Sequence, residues 1–557
     1  MKKSILFFFS ISFTLFAQSQ VSKTVNLTTA GTLSSSLTYN ELNTVTDLTI
    51  TGKIDARDFL TMRDKALALT IINLSGSTII AYNGTLGTSF NQNNTSYLDN
   101  TISDFAFYGC TRLVSITIPS SVTSIGEYAF NGCSGLTGTL TIPSFVRFIG
   151  NYAYLGCKGF TGTLNIPSTV TSIGLASFYG CSGLTGTLNI PGAVTSISLA
   201  AFEGCTGITE FVVQTNNSNY SSINGVLFNY DQTYLIKYPS TKKGMYSVPN
   251  SVTSIGDGAF ESCIGLNSIT IPGSVTSIEN YAFMGCTGLT SITIPNSVNS
   301  IASEAFSGCN GLTQFVVQTN NSNYSAIDGV LFYRNQTDLI QYPTAKQGNY
   351  TIPNSVKYIE GYAFYNCTGL KGSLTIPDSV TYISSKTFYG CTGLTGSLII
   401  PSSVTYIFYQ AFYGCSGLTS IYANSTLPID LSTSDSVFYK VNKTTCTLYV
   451  PFGSKSAYQV ADQWKDFVHI VEMATTAIPT ITNSTISLYP NPTTDYFQVN
   501  GIDANTLITI KDLNGKTLII KQINFSDKIN INSFSKGIYM IEVNTNKGLI
   551  IKKIIKN

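Results

Sequence analysis

Residues 264–286 read I-G-L-N-S-I-T-I-P-G-S-V-T-S-I-E-N-Y-A-F-M-G-C, and this phrase decides the fold. Variants of it recur along the chain, and each closes on a cysteine of one series: Cys110, Cys133, Cys157, Cys181, Cys205, Cys263, Cys286, Cys309, Cys367, Cys391 and Cys415. Neighbouring cysteines in this series are 23 or 24 residues apart, except across two gaps of 58 residues. A fixed period of this length is typical of a solenoid, in which stacked units share one elongated core.

Each unit is predicted to hold one strand and a return path. The alternation through Ile269 and Ile271 predicts a strand with one buried face, and Pro272 ends it because proline cannot donate into a parallel ladder. The inward positions of the return path are Val275, Ile278, Ala282, Phe283 and Cys286. A lone unit cannot cover its own apolar row, so neighbouring units must stack at about 4.8 Å. The sequence therefore predicts a mainly β solenoid with a parallel sheet.

Both 58-residue gaps hold the same insertion. Residues 209–228 and 313–332 differ at only three positions, so a block of 104 residues has duplicated. Asn224-Gly225 and Asp328-Gly329 are strong signals for tight turns between apolar strands. We expect two inserted modules, over 209–249 and 313–353, each with extra rungs and a protruding hairpin.

Composition disfavours several classes of partner and activity. Only 11% of residues are charged and the formal net charge is +2, so no long-range field attracts nucleic acid or an anionic membrane. The one histidine, His469, is expected to serve structural packing. No nucleophile-elbow, phosphate-loop or zinc-protease motif is present. We therefore expect no enzyme activity, no catalytic residue, no cofactor and no bound metal.

The cysteine series favours buried thiols over cross-links. The side chains fall once per rung at one inward position and point in parallel, which suits a ladder of small buried hydrophobes. Disulfides are the usual alternative in an exported chain. Zinc is less favoured, because it needs four converging ligands and no paired C-x-x-C cluster is present. Cys446 stands outside the series and is either free or bonded.

Two groups of surface residues are candidates for binding. Tyrosines follow the buried phenylalanine of several units and should face outward: Tyr108, Tyr179, Tyr365, Tyr389 and Tyr413. They form either an aromatic stripe for glycans or proteins, or a stack that only covers the corner of the solenoid. The Asn/Ser-rich tips at 216–222 and 320–325 are either ligand loops or solvated turns.

The N-terminus has the order of a secretory signal peptide. Lys2 and Lys3 precede an apolar stretch from Ile5 to Phe16 and a small-residue cleavage region, which predicts a signal peptide over 1–19. No later stretch reaches the roughly 18 apolar residues of a membrane helix, so no transmembrane segment is expected in the mature chain.

The pattern G-L-T-S-I-T-I-P-x-S-V-T-S-I-G-x-x-A-F-x-G-C resembles the BspA-like leucine-rich repeat of secreted bacterial surface proteins, over residues 102–425. The resemblance implies a right-handed solenoid used for adhesion, without enzyme activity. Residues 20–101 are similar to the N-terminal cap that precedes such repeats. Residues 426–473 resemble the closing rung and short helix of a C-terminal cap.

A Thr/Pro/Asn-rich linker over 474–484 leads to a final domain over 485–557. Its short alternating strands predict a small antiparallel β-sandwich. The domain resembles the type IX secretion C-terminal sorting domain in the stretch from Asp512 to Lys516 and at Tyr489, Pro490, Asn491, Pro492, Gly537, Tyr539, Lys552 and Lys553. The resemblance implies export by the type IX secretion machinery, removal of the domain and, often, attachment to lipopolysaccharide in a Bacteroidota-type bacterium.

Together these features predict an exported, cell-surface protein that acts as a non-catalytic adhesion or binding module. Its partner would be an extracellular protein or glycan. The alternative is a structural, self-associating component of the extracellular matrix without a specific ligand, which would need exposed edges or end-to-end contacts.

Overall fold

The computed structural model describes residues 20–90, 95–473, 486–512, 516–545 and 548–557. The chain divides into two compact units, Met1–Glu472 and Met473–Asn557. The predicted signal peptide, the predicted linker and residues 513–515 of the sorting motif lie outside the described residues.

The first unit begins with a segment that closes one end of the apolar core. Its parallel strands are Ser22–Leu27, Asp47–Ile54, Ile71–Ile79 and Ser115–Thr117, in that order across the sheet. The connecting helices are Leu33–Ser36, Tyr39–Thr44 and Ala56–Asp64, and an antiparallel pair joins Tyr82–Gly84 to Thr95–Tyr97. The last two helices begin after Thr38 and Asp55, whose side-chain oxygens accept backbone N–H groups. Leu33 and Phe59 are fully buried, so the helices cover the apolar end of the sheet.

The repeats stack as parallel coils, and the first strand of most units pairs with the first strand of the next unit. These strands are Thr185–Ile190, Gly207–Val213, Gly244–Ser247, Leu266–Thr270, Ser291–Ile294, Gln314–Val317, Leu374–Thr375, Ser397–Ile400, Ser420–Ala423, Thr447–Val450 and His469–Glu472. Ile269 and Ile271 are buried, as the alternation predicts. The register of Thr185–Ile190 against Gly207–Val213 shifts after Gly186, whose φ is +79°, so Thr209 has no partner residue and forms a bulge.

The prediction of one strand per unit is wrong, because the units carry a second, two-residue strand. These strands are Thr101–Ile102, Ser124–Ile125, Phe148–Ile149, Ser172–Ile173, Ser196–Ile197, Ser254–Ile255, Ser277–Ile278, Ser300–Ile301, Tyr358–Ile359, Tyr382–Ile383 and Tyr406–Ile407. They pair in parallel with the same residues one unit away, as in Ser254 with Ser277. The constant repeat length causes this pairing, since it brings identical backbone positions into register after each proline bend.

The core is a column of stacked aromatic rings, interrupted at each insertion. Neighbouring rings lie about one rung apart, as in Phe260 and Phe283 with centroids at 5.0 Å and Phe388 and Phe412 at 5.3 Å. The buried residues form three successive clusters, and the two boundaries between them fall in the inserted modules, near Val226 and Val330. The solenoid is therefore built in three packed segments.

Each inserted module is a three-stranded antiparallel meander. Its strands are Tyr220–Ile223, Val226–Asn229 and Tyr234–Lys237 in the first module, and Tyr324–Ile327, Val330–Tyr333 and Asp338–Gln341 in the second. The third strand of each joins the ladder of two-residue strands in parallel. The predicted tight turns are confirmed, since Asn224 and Gly225 have φ of +51° and +76°.

The prediction that the hairpin protrudes is wrong. Val226, Leu227 and Phe228 are each 0% exposed, so the middle strand is buried on the solenoid core. This burial explains why three consecutive residues of the strand are apolar. In a protruding hairpin, at least one face of the strand would lie in water and would favour polar residues.

The end of the first unit and the second unit have separate cores. Around helix Lys455–Tyr458, the side chains of Tyr458, Trp464 and Phe467 are buried against the last rungs. The second unit has a sheet of Ser487–Tyr489, Tyr496–Asn500 and Ile529–Asn530, and a sheet of Thr517–Ile523, Thr506–Lys511, Gly537–Thr545 and Gly548–Lys556. Both sheets are antiparallel and contribute to one buried cluster, so the predicted β-sandwich is confirmed.

Candidate functional site

The eleven cysteines of the series lie one above another along the solenoid, and all twelve cysteines of the chain are free thiols. In eight of them the Sγ–H donates to the carbonyl of an aromatic residue in the preceding rung, at 2.9 to 3.1 Å. Directly after the insertions the contact is longer, 3.9 Å from Cys263 to Tyr238 and 4.0 Å from Cys367 to Tyr342. The ladder is therefore broken where the core is broken.

The thiols are unsuited to nucleophilic chemistry. Burial raises the pKa of Cys309 and Cys415 to about 12, and that of Cys110 and Cys446 to about 11. A reactive cysteine needs a lowered pKa. No group of three or more metal-ligating side chains comes together within the described ranges.

The tyrosines predicted as one stripe occupy three separate places. Tyr108 is 42% exposed and lies near Phe90 and Phe105, with ring centroids at 5.5 and 5.9 Å. Tyr179 is also exposed, and no other aromatic ring in the part of the chain that the structure describes contacts it. Tyr365, Tyr389 and Tyr413 form a separate stack.

This stack is longer than the sequence pattern indicated. The ring centroids are 5.0 Å apart between Tyr365 and Tyr389, 4.5 Å between Tyr389 and Tyr413, and 5.1 Å between Tyr413 and Tyr439. Tyr439 was missed because its unit has no Gly-Cys. The phrase Val437-Phe438-Tyr439 still carries the signal, since it is a variant of A-F-Y.

One lysine lies over the stack, and another lies over Tyr362, whose ring centroid is 5.4 Å from that of Tyr365. The Nζ of Lys440 lies 5.4 Å from the centre of the Tyr413 ring. The Nζ of Lys386 lies 5.2 Å from the centre of the Tyr362 ring and donates a hydrogen bond to its hydroxyl at 3.1 Å. We call this surface the tyrosine patch, defined as Tyr362, Tyr365, Lys386, Tyr389, Tyr413, Tyr439 and Lys440.

A second aromatic stack lies near the start of the repeats. Phe105, Tyr128 and Tyr152 stack with centroids 4.9 and 4.7 Å apart. The nearby guanidinium of Arg63 lies over the Phe90 ring rather than over this stack. The second stack thus has similar ring geometry to the tyrosine patch and no lysine over its rings among the described contacts.

At the Asn/Ser-rich tips, one asparagine in each module has a structural role. Asn217 is 3% exposed, and its Nδ2 donates to the carbonyls of Pro191 and Val194 at 2.8 and 2.9 Å. Its Oδ1 accepts the N–H groups of Asn219 and Tyr220, each at 2.8 Å. Asn321 makes the same four hydrogen bonds in the second module. These two side chains lock the meander to the rung before it.

The remaining predicted residues lie in the final rung and in the sorting domain. His469 lies in the last strand of the first unit, His469–Glu472, as a structural residue would, but its side chain is exposed and is not part of the buried core. In the sorting motif, Asn491 ties the start of the domain to its last strand: its Nδ2 donates to the Lys553 carbonyl at 2.6 Å and its Oδ1 accepts the Ile555 N–H at 2.9 Å. The hydroxyl of Tyr539 donates to the Ser535 carbonyl at 2.8 Å.

Comparison with known proteins agrees with the stacked-coil geometry. The BspA type leucine rich repeat region family matches residues 100–234, 238–347 and 342–453, in six copies. The chain belongs to this family. Residues 487–557 match the secretion system C-terminal sorting domain, the domain handled by type IX secretion. A BspA-type repeat protein with this sorting domain is a secreted or cell-surface protein.

Several solved structures are similar to this chain. A leucine-rich repeat protein from Eubacterium ventriosum is 24% identical with a TM-score of 0.44, over 65% of this chain and 88% of that one. A leucine rich cell surface protein from Faecalibacterium prausnitzii is 28% identical with a TM-score of 0.37, over 66% and 86%. The pneumococcal vaccine antigen PcpA is 20% identical with a TM-score of 0.38, over 60% and 89%. No curated protein matches the sequence.

Within the described residues, no helix has the length and apolar character needed to cross a bilayer.

Proposed function

We propose that the protein is displayed on the cell surface as a non-catalytic adhesion module, and that the tyrosine patch contacts its ligand. The observation that carries this proposal is the patch itself. Four stacked tyrosines project from successive repeat units, and two lysines lie over the rings of Tyr413 and Tyr362. Rigid aromatic side chains give contact area at a low cost in conformational entropy.

The chemistry of the patch favours a glycan that carries carboxylate groups. Ring faces 4.5 to 5.1 Å apart cover one another, so no sugar ring can stack between them. A ligand therefore meets ring edges, hydroxyl groups and the ammonium groups of Lys386 and Lys440. The hydroxyl and ammonium groups donate hydrogen bonds, and the ammonium groups are positively charged. Such a surface suits a ligand that is anionic and rich in acceptors.

The test uses intact producing cells, so that display and binding are read separately. Antibody against the repeats reports display, and adhesion is measured on surfaces coated with hyaluronan, which carries carboxylates, or with neutral dextran. We expect wild-type cells to prefer hyaluronan. The double variant Y389S/Y413S should keep normal display and lower adhesion at least tenfold, since two neighbouring rings and their hydroxyls are removed from the centre of the patch.

The matched control is Y128S/Y152S, which removes two rings from the second stack with a similar centroid distance of 4.7 Å. Equal losses in both double variants would contradict the role of the patch, and equal adhesion to dextran would contradict the glycan chemistry. Cells without surface antibody signal would contradict display. Aggregation of the released protein with concentration, measured by light scattering and unchanged in Y389S/Y413S, would instead favour a self-associating matrix protein.

A further inference from the structure

A cavity separate from the tyrosine patch lies where the first inserted module meets the preceding rungs. Its volume is about 210 Å³, and we call it the junction cavity, lined by Leu199, Ala200, Phe202, Glu203, Ile236 and Lys237, with Asp257 also at its wall. Leu199, Ala200, Phe202 and Ile236 form an apolar wall. Glu203, Lys237 and Asp257 come from three different rungs, so only the folded stack brings them together.

The buried lysine of the cavity is already partnered. Lys237 is 8% exposed, and its Nζ donates to the carbonyl of Gly258 at 2.6 Å. It also pairs with the Glu261 carboxylate at 3.7 Å. Glu261 is 5% exposed, so its charge and that of Lys237 offset each other inside the protein.

Glu203 has no such partner. Its side chain is 9% exposed, and no hydrogen bond or ion pair within the described ranges reaches its carboxylate. A glycine, Gly258, leaves the room that Glu203 occupies, because a Cβ at that position would collide with the Glu203 carboxylate. Burial, together with the charges of Glu261 and Asp257, raises the pKa of Glu203 to about 7, and Lys237 only partly opposes this shift.

An unpartnered buried carboxylate is costly, and the cost falls when a cation binds it. Two carboxylates, Glu203 and Asp257, line the cavity, and the charge of Lys237 is already offset by Glu261, so the cavity carries excess negative charge. The apolar wall beside them suits a hydrocarbon stem, as the stems of lysine side chains lie along apolar surfaces. We propose that the junction cavity binds an alkylammonium group, with its stem along Leu199 and Ile236 and its ammonium at Glu203 and Asp257.

The second module contains the equivalent cavity without this chemistry. It has a volume of about 90 Å³. At the positions 104 residues later, Ser307 replaces Glu203, Gln341 replaces Lys237 and Gly361 replaces Asp257. The Gln341 Nε2 donates to the Tyr342 and Ala363 carbonyls, so its buried polar group is satisfied internally. Its two lining carboxylates differ from Glu203: Glu360 is exposed to solvent, and Glu304 is partly exposed and accepts a hydrogen bond from the Tyr281 hydroxyl at 3.4 Å. The duplicated block therefore supplies an internal control.

The test is isothermal titration of the full chain with n-butylammonium at pH 8 and fixed ionic strength. The amine stays protonated there, since its ordinary pKa is about 10. We expect saturable binding of n-butylammonium, at least tenfold weaker binding of n-butanol, and at least a tenfold loss of butylammonium affinity in Glu203→Gln. Glu304→Gln, in the lining of the second cavity, should leave the affinity unchanged.

A second variant keeps the test valid if Glu203→Gln folds poorly. Ala200→Tyr should fill the cavity and abolish binding, and its backbone is suited to the change because Ala200 has φ of +57°, like Tyr128 and Tyr152 at the equivalent position with +54° and +56°. Equal binding of n-butanol, or full affinity in both variants, would overturn the proposal. Titration with acetyl-Gly-Lys-Gly-amide then separates the sources: tighter binding of the peptide than of butylammonium assigns the site to a lysine side chain of a protein partner, and weaker binding assigns it to a small amine.

Discussion

The two inserted modules share one backbone and differ in what that backbone buries. Both consist of three antiparallel strands with a two-residue turn, and both bury an asparagine with four hydrogen bonds. In both, a tyrosine hydroxyl accepts an N–H from the ladder of two-residue strands, Tyr220 from Ile197 and Tyr324 from Ile301. These shared features are the ones that join the meander to the solenoid.

The differences lie at positions in and beside each meander, and two of these positions, Glu203 and Lys237, line the junction cavity. Lys237 in the first module, with Glu203 and Glu261 in the rungs beside it, corresponds to Gln341 in the second module, with Ser307 and Tyr365 beside it. The first set is a charged cluster, and the last residue of the second set is part of the tyrosine patch. In this scaffold the residues that attach the meander are therefore the same in both copies, whereas the charged residues near the meander differ.

The largest expected effect tests the shared part. Asn217→Ala and Asn321→Ala should each lower the free energy of unfolding by about 4 kcal/mol, because each change removes four hydrogen bonds, two to buried carbonyls and two from backbone N–H groups, each worth about 1 kcal/mol. Urea unfolding of the full chain, followed by circular dichroism, measures the loss. Ser218→Ala, at an exposed neighbour, is the control and should change stability by less than about 0.5 kcal/mol. Clearly unequal losses in the two asparagine variants would show that the modules are not equivalent in packing.

A smaller effect, dependent on pH, tests the part that differs. The pKa of Glu203 is raised from 4.5 to about 7, so the folded chain binds this proton more tightly than the unfolded chain and loses stability as the pH rises through that interval. Glu203→Gln should therefore stabilise the protein at pH 8 by up to about 3 kcal/mol and have little effect below pH 4.5. Urea unfolding across this pH range measures the difference. In the second module Ser307→Ala should give a difference that does not vary with pH, and a flat profile for Glu203→Gln would mean that the carboxylate is compensated.

The repeat period made most of the solenoid predictable. Phe283 and Cys286 are fully buried where the 23-residue phrase places them, and the turn at Asn224 and Gly225 forms as expected. Such positions are predictable because a stacked unit has one inward side, and every copy of the unit must use it.

Other features could not be read because they lie outside the repeat or have no periodicity. A two-residue strand such as Ser277–Ile278 is too short to show alternation. The burial of Phe228 depends on the meander folding back on the core, which a turn motif does not specify. Glu203 and Glu261 are 58 residues apart in sequence, and only the stacking of the units brings them near each other. The duplication does give one signal, because both positions are charged in the first block and neutral in the second.

The smallest expected effect extends the comparison to the cysteine ladder, where the modules should agree again. Cys263 and Cys367 follow the two insertions and have long Sγ contacts of 3.9 and 4.0 Å, whereas the next thiols, Cys286 and Cys391, donate at 3.0 Å. All four are fully buried, so a change to alanine removes a similar apolar contact at each. Cys286→Ala and Cys391→Ala should therefore cost about 0.5 kcal/mol more than Cys263→Ala and Cys367→Ala, the difference being the weak S–H hydrogen bond. Urea unfolding of the four variants measures it. Equal costs would mean that burial alone explains the cysteine at this position, and that the interruption of the ladder at each insertion has no energetic consequence.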